Sequence, residues 1–170
     1  ITIEDNFLDQ VEFNKIEEIM MGPQFPWFYI DRIVFEDDVD KFQFFHMFYE
    51  NGAPAQDNSL MLLASMQEKF QIIALFRIKA NLLTRTPKIV ESDFHIDMGG
   101  TFTEEKLKQW NTSVFYINTN NGYTKFEDGT KVESVANRML SFPANMKHAG
   151  TSCTDKRTRV VINFDYFKSP

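Results

Sequence analysis

Apolar and polar positions recur with two different periods along this chain. In the first 20 residues, apolar side chains return every three to four positions with acidic and amide residues between them. This spacing predicts an amphipathic helix over 7–20, which the Gly-Pro pair at 22–23 ends. The same period over 60–70 predicts a second helix, with Asn58 or Ser59 as its N-terminal cap.

The remaining segments are short and rich in aromatic and β-branched residues, which favours strands. Two of them, 27–34 and 42–49, flank the acidic loop 36–40 and predict a hairpin. From position 76 onward, turn residues such as Asp128 and Gly129 separate further strands. The predicted later strands are 76–82, 93–98, 113–118, 124–126, 131–135, 138–142 and 159–167. Seven or eight strands at this spacing predict a β-sandwich or jelly roll.

The length of the chain favours one folding unit. A chain of 170 residues with 43% apolar and 15% aromatic residues fills one core, and two full domains would each be small. No internal repeat or linker composition interrupts the sequence. We therefore expect a single domain over 1–170, with a layer of helices and strands over 1–75 and a jelly-roll core over 76–168.

Charge and cysteine content narrow the functional classes. The net charge of -6, without a run of Lys and Arg, argues against a nucleic-acid partner. Cys153 is the only cysteine, so no intrachain disulfide forms and a reducing, cytoplasmic location is expected. No segment approaches the roughly 20 apolar residues of a membrane-spanning helix, and we expect no membrane partner.

Two potential metal ligands stand two positions apart in the predicted strand 93–98. On a strand, His95 and Asp97 would project from the same face, and His148, one of three histidines, offers a third ligand. Two imidazoles and one carboxylate leave positions open on iron(II) for a cosubstrate and oxygen. Zinc enzymes use a similar set, so ligand type alone does not fix the metal. A His-X-Asp pair by itself is also frequent in strands that only pack or face solvent.

Arg159 adds a second indication, because it opens the apolar strand 159–167. An arginine that enters an apolar strand is costly unless it pairs with a carboxylate, and a bound dicarboxylate would provide a two-pronged ion pair. The alternative is a surface salt bridge at the end of the strand. Arg157 is the other basic residue that could bind such a dicarboxylate.

Together, His95 and Asp97, then His148, then Arg159 ahead of an apolar strand resemble the iron(II)- and 2-oxoglutarate-dependent dioxygenases. The resemblance is to the prolyl 4-hydroxylase-like branch found in bacteria and phages. The segments 116–118 and 121–126 are similar to a strand and a glycine-containing turn of that branch, with Asn121 where a second glycine is common. The segment 5–8 is similar to its entry segment, so the resemblance spans nearly the whole chain.

The resemblance implies an α+β, mainly β fold: a double-stranded β-helix (jelly roll) with N-terminal helices packed on one sheet. It implies Fe(II), 2-oxoglutarate and O2 as cofactors, and hydroxylation of a carbon in a peptide, such as a prolyl residue, or in a small molecule. His95, Asp97 and His148 would be the catalytic metal ligands. Arg159 would bind the far carboxylate of 2-oxoglutarate, and Tyr116 would donate its phenol to the cosubstrate.

The same residues are also compatible with other functions and positions. A catalytically silent jelly-roll binding protein, or a zinc-dependent or cupin-like metalloprotein, would keep the scaffold. For Lys79, Asn81 and Asn163, outward-facing strand positions are favoured over a place in the pocket. The segment 99–110 begins with two glycines and is interpreted either as a mobile lid or as an ordinary surface loop.

Overall fold

A computed structural model gives the structure of the protein and describes residues 1–34, 41–55 and 59–168. Its helices are α1 (Gln10–Met21), α2 (Ala64–Phe70) and α3 (Glu104–Leu107), with a 3-10 helix at Ser59–Leu63. Its strands are β1 (Thr2–Glu4), β2 (Phe28–Ile30), β3 (Gln43–Glu50), β4 (Ala53–Pro54), β5 (Ile72–Thr84), β6 (Asn111–Tyr116), β7 (Tyr123–Phe126), β8 (Lys131–Glu133), β9 (Arg138–Pro143), β10 (His148–Gly150) and β11 (Thr158–Lys168).

The strands form two antiparallel sheets. The larger sheet has the order β1-β9-β6-β11-β5-β3-β2, with β4 paired to β3, and the smaller has the order β10-β7-β8. Side chains from β6, β9 and β11 of the larger sheet pack with Phe126 and Val132 of the smaller one. The two sheets therefore face each other across a shared interior, and the predicted jelly roll is confirmed.

Alternation along the central strands gives the larger sheet two different faces. On β5, Ile78 and Ala80 lie in the main apolar core, and Ile162 and Phe164 of β11 lie beside them. The residues between them face the smaller sheet, because successive strand residues point to opposite faces. The main core also holds the buried residues of α1 and α2, which confirms the prediction of helices on one sheet.

Helix α1 follows the predicted apolar pattern but starts later. The Asp9 side chain accepts a hydrogen bond from the Val11 backbone N–H, which caps the helix there. Upstream, Leu8 donates its backbone N–H to the Asn137 side chain and accepts a bond from its amide in return. Because these backbone groups are bound to Asn137, Phe7 and Leu8 lie outside the helix although both are buried.

Other predicted boundaries differ from the structure. The helix predicted over 60–70 divides into a 3-10 turn and α2, whose N-cap is Leu63, so Ser59 is not its cap. The hairpin is confirmed by the antiparallel pairing of β2 with β3, although β2 is shorter than predicted. The loop 36–40 and the alternative cap Asn58 lie outside the described residues.

The strand predicted over 93–98 is wrong. Within this segment only His95 pairs across to another strand, through an isolated bridge to His148. A turn begins at Asp97. The partner strand β10 is three residues long and also pairs with β7, so it offers too little edge for a continuous ladder.

Among the described residues, no helix combines the length and apolar character needed to cross a membrane.

Candidate metal centre and cavity

The structure brings His95, Asp97 and His148 together at the opening between the two sheets. Ligand atoms from the three side chains all lie within 4.8 Å of one another. Paired backbone hydrogen bonds of 3.0 Å join His95 to His148 and hold the two histidines side by side. Although the predicted strand is absent, this bridge and the turn at Asp97 bring the three side chains to one point.

Backbone carbonyls set the orientation of both imidazole rings. The Nδ1–H of His95 donates to the Asp93 carbonyl at 3.0 Å, and the Nδ1–H of His148 donates to the Met146 carbonyl at 3.4 Å. Because a carbonyl only accepts, these bonds place the proton on Nδ1 and leave Nε2 with its lone pair. Each Nε2 atom lies 3.6 Å from an oxygen of Asp97, so the three free ligand atoms converge. This is the arrangement that metal-binding histidines adopt.

A buried ion-pair network lies directly behind Asp97. The Nη2 atom of Arg77 is 3.1 Å from Asp97 Oδ1 and 2.9 Å from Asp165 Oδ2. The Thr112 hydroxyl donates to the other Asp165 oxygen at 2.9 Å, and the Asn163 amide donates to Asp97 at 3.3 Å. Arg77 therefore bridges two carboxylates and fixes the orientation of Asp97.

The charges of this network shift the pKa values of its members. Burial raises the pKa of Asp97, but the Arg77 guanidinium and the two histidines outweigh it and hold that pKa well below its usual range. For Asp165, burial and the nearby Asp97 charge raise the pKa to about 7. Asp97 is therefore the carboxylate of the pair that loses its proton first, as suits a metal ligand.

The pKa values of the two histidines are shifted in opposite directions. Burial lowers the pKa of His148, and the attraction of Asp97 offsets this only in part. Burial also lowers the pKa of His95, but its hydrogen bond and charge interaction with Asp97 are stronger, so that its pKa is raised overall. On acidification, His95 is therefore protonated before His148.

Sequence reasoning missed Arg77 and Asp165. They stand 88 positions apart, and only the pairing of β5 with β11 places them opposite each other. The sequence contains part of the signal, because each is a charged residue with an apolar or aromatic neighbour on both sides in its strand. Such residues need a buried partner.

The metal-site residues open onto a cavity of about 570 Å³ between the sheets. Lys79, Asn81 and Asn163 all line this cavity, although outward-facing positions were favoured from the sequence. Its described lining residues are Ile30, Arg32, Ile33, Val34, Gln43, Arg77, Lys79, Asn81, Leu83, Ser92, His95, Ile96, Asp97, Gly99, Val114, Thr124, His148, Gly150, Arg159, Val161 and Asn163.

Arg159 lines the same cavity and is 2% exposed. Its Nε donates to the Ser134 hydroxyl at 2.8 Å and its Nη2 to the Thr124 hydroxyl at 3.3 Å. None of the carboxylates in the described ranges forms an ion pair with it, and burial lowers its pKa. The guanidinium is thus a buried cation without an anionic partner in the described part of the chain. Arg157, the alternative considered from the sequence, is exposed and does not line the cavity.

Gly122 leaves the space that the Arg159 side chain occupies. A Cβ atom at this position would lie 2.6 Å from Arg159 Cδ and 2.7 Å from the Ser152 carbonyl oxygen. Both distances are far below van der Waals contact, and the carbonyl belongs to the backbone. The turn therefore requires glycine because of the arginine behind it.

Tyr116 lies behind Arg159 and is not among the described residues that line the cavity. Its ring centroid is 5.6 Å from the guanidinium carbon, and its hydroxyl donates to Thr124 at 2.8 Å. Tyr116 thus contacts the residues that face the cavity, and its position gives no support to direct donation to a cosubstrate.

The segment 99–110 contains α3 and packs into a third apolar cluster. Leu107 is buried in this cluster together with Met98 and Ala144 from outside the segment, and the stacked rings of Phe102 and Trp110 are 5.4 Å apart. Gly99 lines the cavity, so the start of this segment borders the candidate site.

No family model matches the sequence, and no curated protein matches it. Solved structures do match it by fold. An oxidoreductase of the 2OG-Fe(II) oxygenase family from Burkholderia pseudomallei has a TM-score of 0.68 at 10% identity, covering 99% of this chain and 85% of that one. A prolyl hydroxylase from Trichoplax adhaerens, in complex with a peptide of hypoxia inducible factor, has a TM-score of 0.62 at 14% identity, covering 98% and 83%.

A prolyl-4-hydroxylase from Pseudomonas putida has a TM-score of 0.58 at 15% identity, covering 99% of this chain and 92% of that one. The match therefore extends over nearly the full length of both chains, although few residues are identical. The chain has the double-stranded β-helix fold of the 2OG-Fe(II) oxygenase structures.

Proposed function

We propose that this protein is an iron(II)- and 2-oxoglutarate-dependent oxygenase. The observation that carries the proposal is the buried Arg159 guanidinium, which faces the cavity without a carboxylate partner among the described residues. A buried cation of this kind is costly unless a ligand neutralises it. The three converging side chains of His95, Asp97 and His148 border the same cavity, so one dicarboxylate could contact Arg159 and an ion at once.

In this proposal His95 and His148 bind iron(II) through Nε2 and Asp97 through a carboxylate oxygen. Two imidazoles with one carboxylate leave coordination positions free for a cosubstrate and oxygen. A zinc site would accept the same ligands. A zinc hydrolase would have no use for Arg159, and this residue therefore favours iron with 2-oxoglutarate.

Arg159 would bind the far carboxylate of 2-oxoglutarate with two parallel hydrogen bonds. The bonds to Ser134 and Thr124 hold the guanidinium in place, and Tyr116 orients Thr124 in turn. When bound, iron(II) and 2-oxoglutarate would supply the oxidising chemistry, in which one oxygen atom of O2 would enter a C–H bond of the substrate and the other would enter succinate as carbon dioxide is released. The protein orients these groups and limits the access of water.

The substrate would be a carbon of a peptide, such as a prolyl residue, or of a small molecule. The fold matches to prolyl hydroxylases, one of them in complex with a peptide, support the first alternative. The proposal further includes one domain over 1–170 and a cytoplasmic location, which agrees with a single, buried cysteine.

Anaerobic addition of iron(II) and 2-oxoglutarate tests the proposal. A visible charge-transfer band is expected when the cosubstrate chelates iron, and succinate is expected once air is admitted. Asp97→Ala should abolish the band. The matched control is Asp93→Ala, because that side chain is exposed and pairs with Lys41. Absence of the band in the unaltered protein, or an undiminished band in Asp97→Ala, would contradict the proposal.

A further inference from the structure

The cavity wall formed by β5 carries positive charge that neither the proposed metal nor 2-oxoglutarate would neutralise. Alternate residues of this strand, Arg77, Lys79 and Asn81, all line the cavity. Arg32 and Arg159 bring the cations of the lining to four, while Asp97 is the one acidic residue among the described lining residues.

Three of these cations have a partner or an assigned ligand. Arg77 is neutralised by Asp97 and Asp165. Arg159 is assigned to the cosubstrate, and Arg32 lies 3.9 Å from Asp31 with 40% of its side chain exposed. Lys79 has neither a hydrogen bond nor an ion pair within the described ranges. Its ammonium is mostly buried, and burial together with the Arg77 charge lowers its pKa.

The Lys79 side chain contacts β3. Its Nζ atom lies 5.3 Å from the ring centroid of Phe45 on β3. Arg159, in contrast, packs against Thr124 of β7, in the smaller sheet that also carries His148. The cavity therefore has a cosubstrate side next to the smaller sheet and a second side next to β3 and the segment that contains Arg32.

In the part of the chain that the structure describes, two amide oxygens without a partner lie on residues that neighbour Lys79 in the sheet. The Oδ1 atoms of Asn81 and Asn163 are buried and have no hydrogen-bond partner among the described residues. Asn163 is opposite Lys79 in the strand pairing, and its amide contacts Asp97. These oxygens are acceptors and call for a hydrogen-bond donor, whereas the neighbouring Lys79 ammonium calls for an acceptor or an anion. Both needs favour a polar ligand over an apolar one.

We propose that the substrate of this protein carries a carboxylate and that Lys79 binds it. This inference rests on the proposed function and narrows its substrate class. One lysine matches the single negative charge of a carboxylate, whereas a phosphate monoester carries up to two. The ion pair would hold the substrate in the cavity that Asp97 also lines.

Calorimetric titration of the anaerobic protein, saturated with iron(II) and 2-oxoglutarate, tests the inference. The probes are butanoate, butyl phosphate and neutral butanamide, and saturation with 2-oxoglutarate keeps the anions away from Arg159. Butanoate should bind at least tenfold more tightly than butanamide. Stronger binding of butyl phosphate than of butanoate would assign the site to phosphate and overturn the carboxylate.

Substitutions then assign the binding to Lys79. Lys79→Met should weaken butanoate binding at least tenfold, while Lys79→Arg should retain most of it. The matched control is Lys15→Met on the exposed face of α1, which should change nothing. Unchanged butanoate binding in Lys79→Met would overturn the inference, and so would absence of butanoate binding at roughly 10 mM.

Two further readouts separate this inference from the proposed function. Lys79→Met should leave the charge-transfer band and 2-oxoglutarate affinity unchanged, and a large loss of that affinity would reassign Lys79 to the cosubstrate. If the band never forms in the unaltered protein, the proposed function fails first. If the band forms and no anion binds, only the carboxylate subsite fails.

Discussion

Two arginines, Arg77 and Arg159, line the same cavity and differ in their partners. Arg77 bridges the carboxylates of Asp97 and Asp165 at 3.1 and 2.9 Å. Arg159 has two hydroxyl groups and an aromatic ring around it, and no carboxylate among the described residues. The Arg77 side chain is 17% exposed and Arg159 is 2% exposed, yet among the described residues only Arg77 has carboxylates that neutralise it.

The difference separates a structural charge from a binding charge. A buried ion pair keeps its two charges compatible with the folded state, and removal of one partner leaves the other unpaired. A buried cation without an anion instead reduces stability until a ligand arrives. We therefore expect substitution of Arg77 to affect folding first, and substitution of Arg159 to affect ligand binding first.

The largest effect is expected for Arg77→Met, which leaves Asp97 and Asp165 buried near each other without a cation. The free energy of unfolding should fall by about 3–5 kcal/mol, measured by urea denaturation of the metal-free protein. The exposed Arg85, just beyond the end of β5, offers the control Arg85→Met, which should change stability by less than about 0.5 kcal/mol. Equal stability of the two variants would contradict the structural role of Arg77.

Arg159→Met should affect binding rather than folding. Loss of the ion pair should weaken 2-oxoglutarate binding by about 2–5 kcal/mol, or roughly 30-fold to several thousand-fold. Stability should change by no more than about 1 kcal/mol, because lost hydrogen bonds are offset by removal of an unpaired charge. Titration of 2-oxoglutarate with Mn(II) in place of iron measures the first quantity. An equally large loss of metal affinity in this variant would contradict a specific role of Arg159 in cosubstrate binding.

Acidification should weaken metal binding because His95 becomes protonated. Its pKa is raised above the usual value of 6.5, so a proton competes with the metal as pH falls through this raised pKa. Mn(II) affinity should be constant at higher pH and should drop by about tenfold per unit below it. The lowered pKa of His148 keeps that ring neutral over the same range. Metal affinity that does not change between pH 8 and 5.5 would contradict these shifts.

The smallest effect is expected for Tyr116→Phe, which removes the hydroxyl that donates to Thr124 and leaves the ring against Arg159. Loss of one buried hydrogen bond should reduce 2-oxoglutarate affinity by about 1 kcal/mol, or roughly fivefold. The exposed Tyr29 provides the control Tyr29→Phe, which should have no effect. A loss as large as that of Arg159→Met would instead support the direct cosubstrate contact implied by the family resemblance.

The fold was largely predictable from the sequence, because alternation marks both faces of the long strands. The predictions succeed for β6 and β11, where neighbouring residues such as Val114 and Phe115 enter different apolar clusters. No strand was predicted at β1, β4 or β10, because these strands are two or three residues long and show no period. The division into one domain stays a prediction.

The candidate site was predictable only in part. Residue type and family resemblance predict His95, Asp97 and His148 as the site, and the structure brings these three side chains together. Their role as metal ligands stays a prediction until an ion is bound. The pairing of Arg77 with Asp165 depends on strand register across the sheet, which no local pattern encodes.

The two-sided character of β5 has a consequence for how this protein could change over evolutionary time. Ile78 and Ala80 belong to the main core, whereas Lys79 and Asn81 face the cavity. Mutations at positions 79 and 81 could therefore alter which molecules are accepted without repacking the helices on the other side. A one-residue insertion in this strand would exchange the two sets and destroy both at once. Diversification of such a scaffold should proceed by substitution along β5 and not by changes in its length.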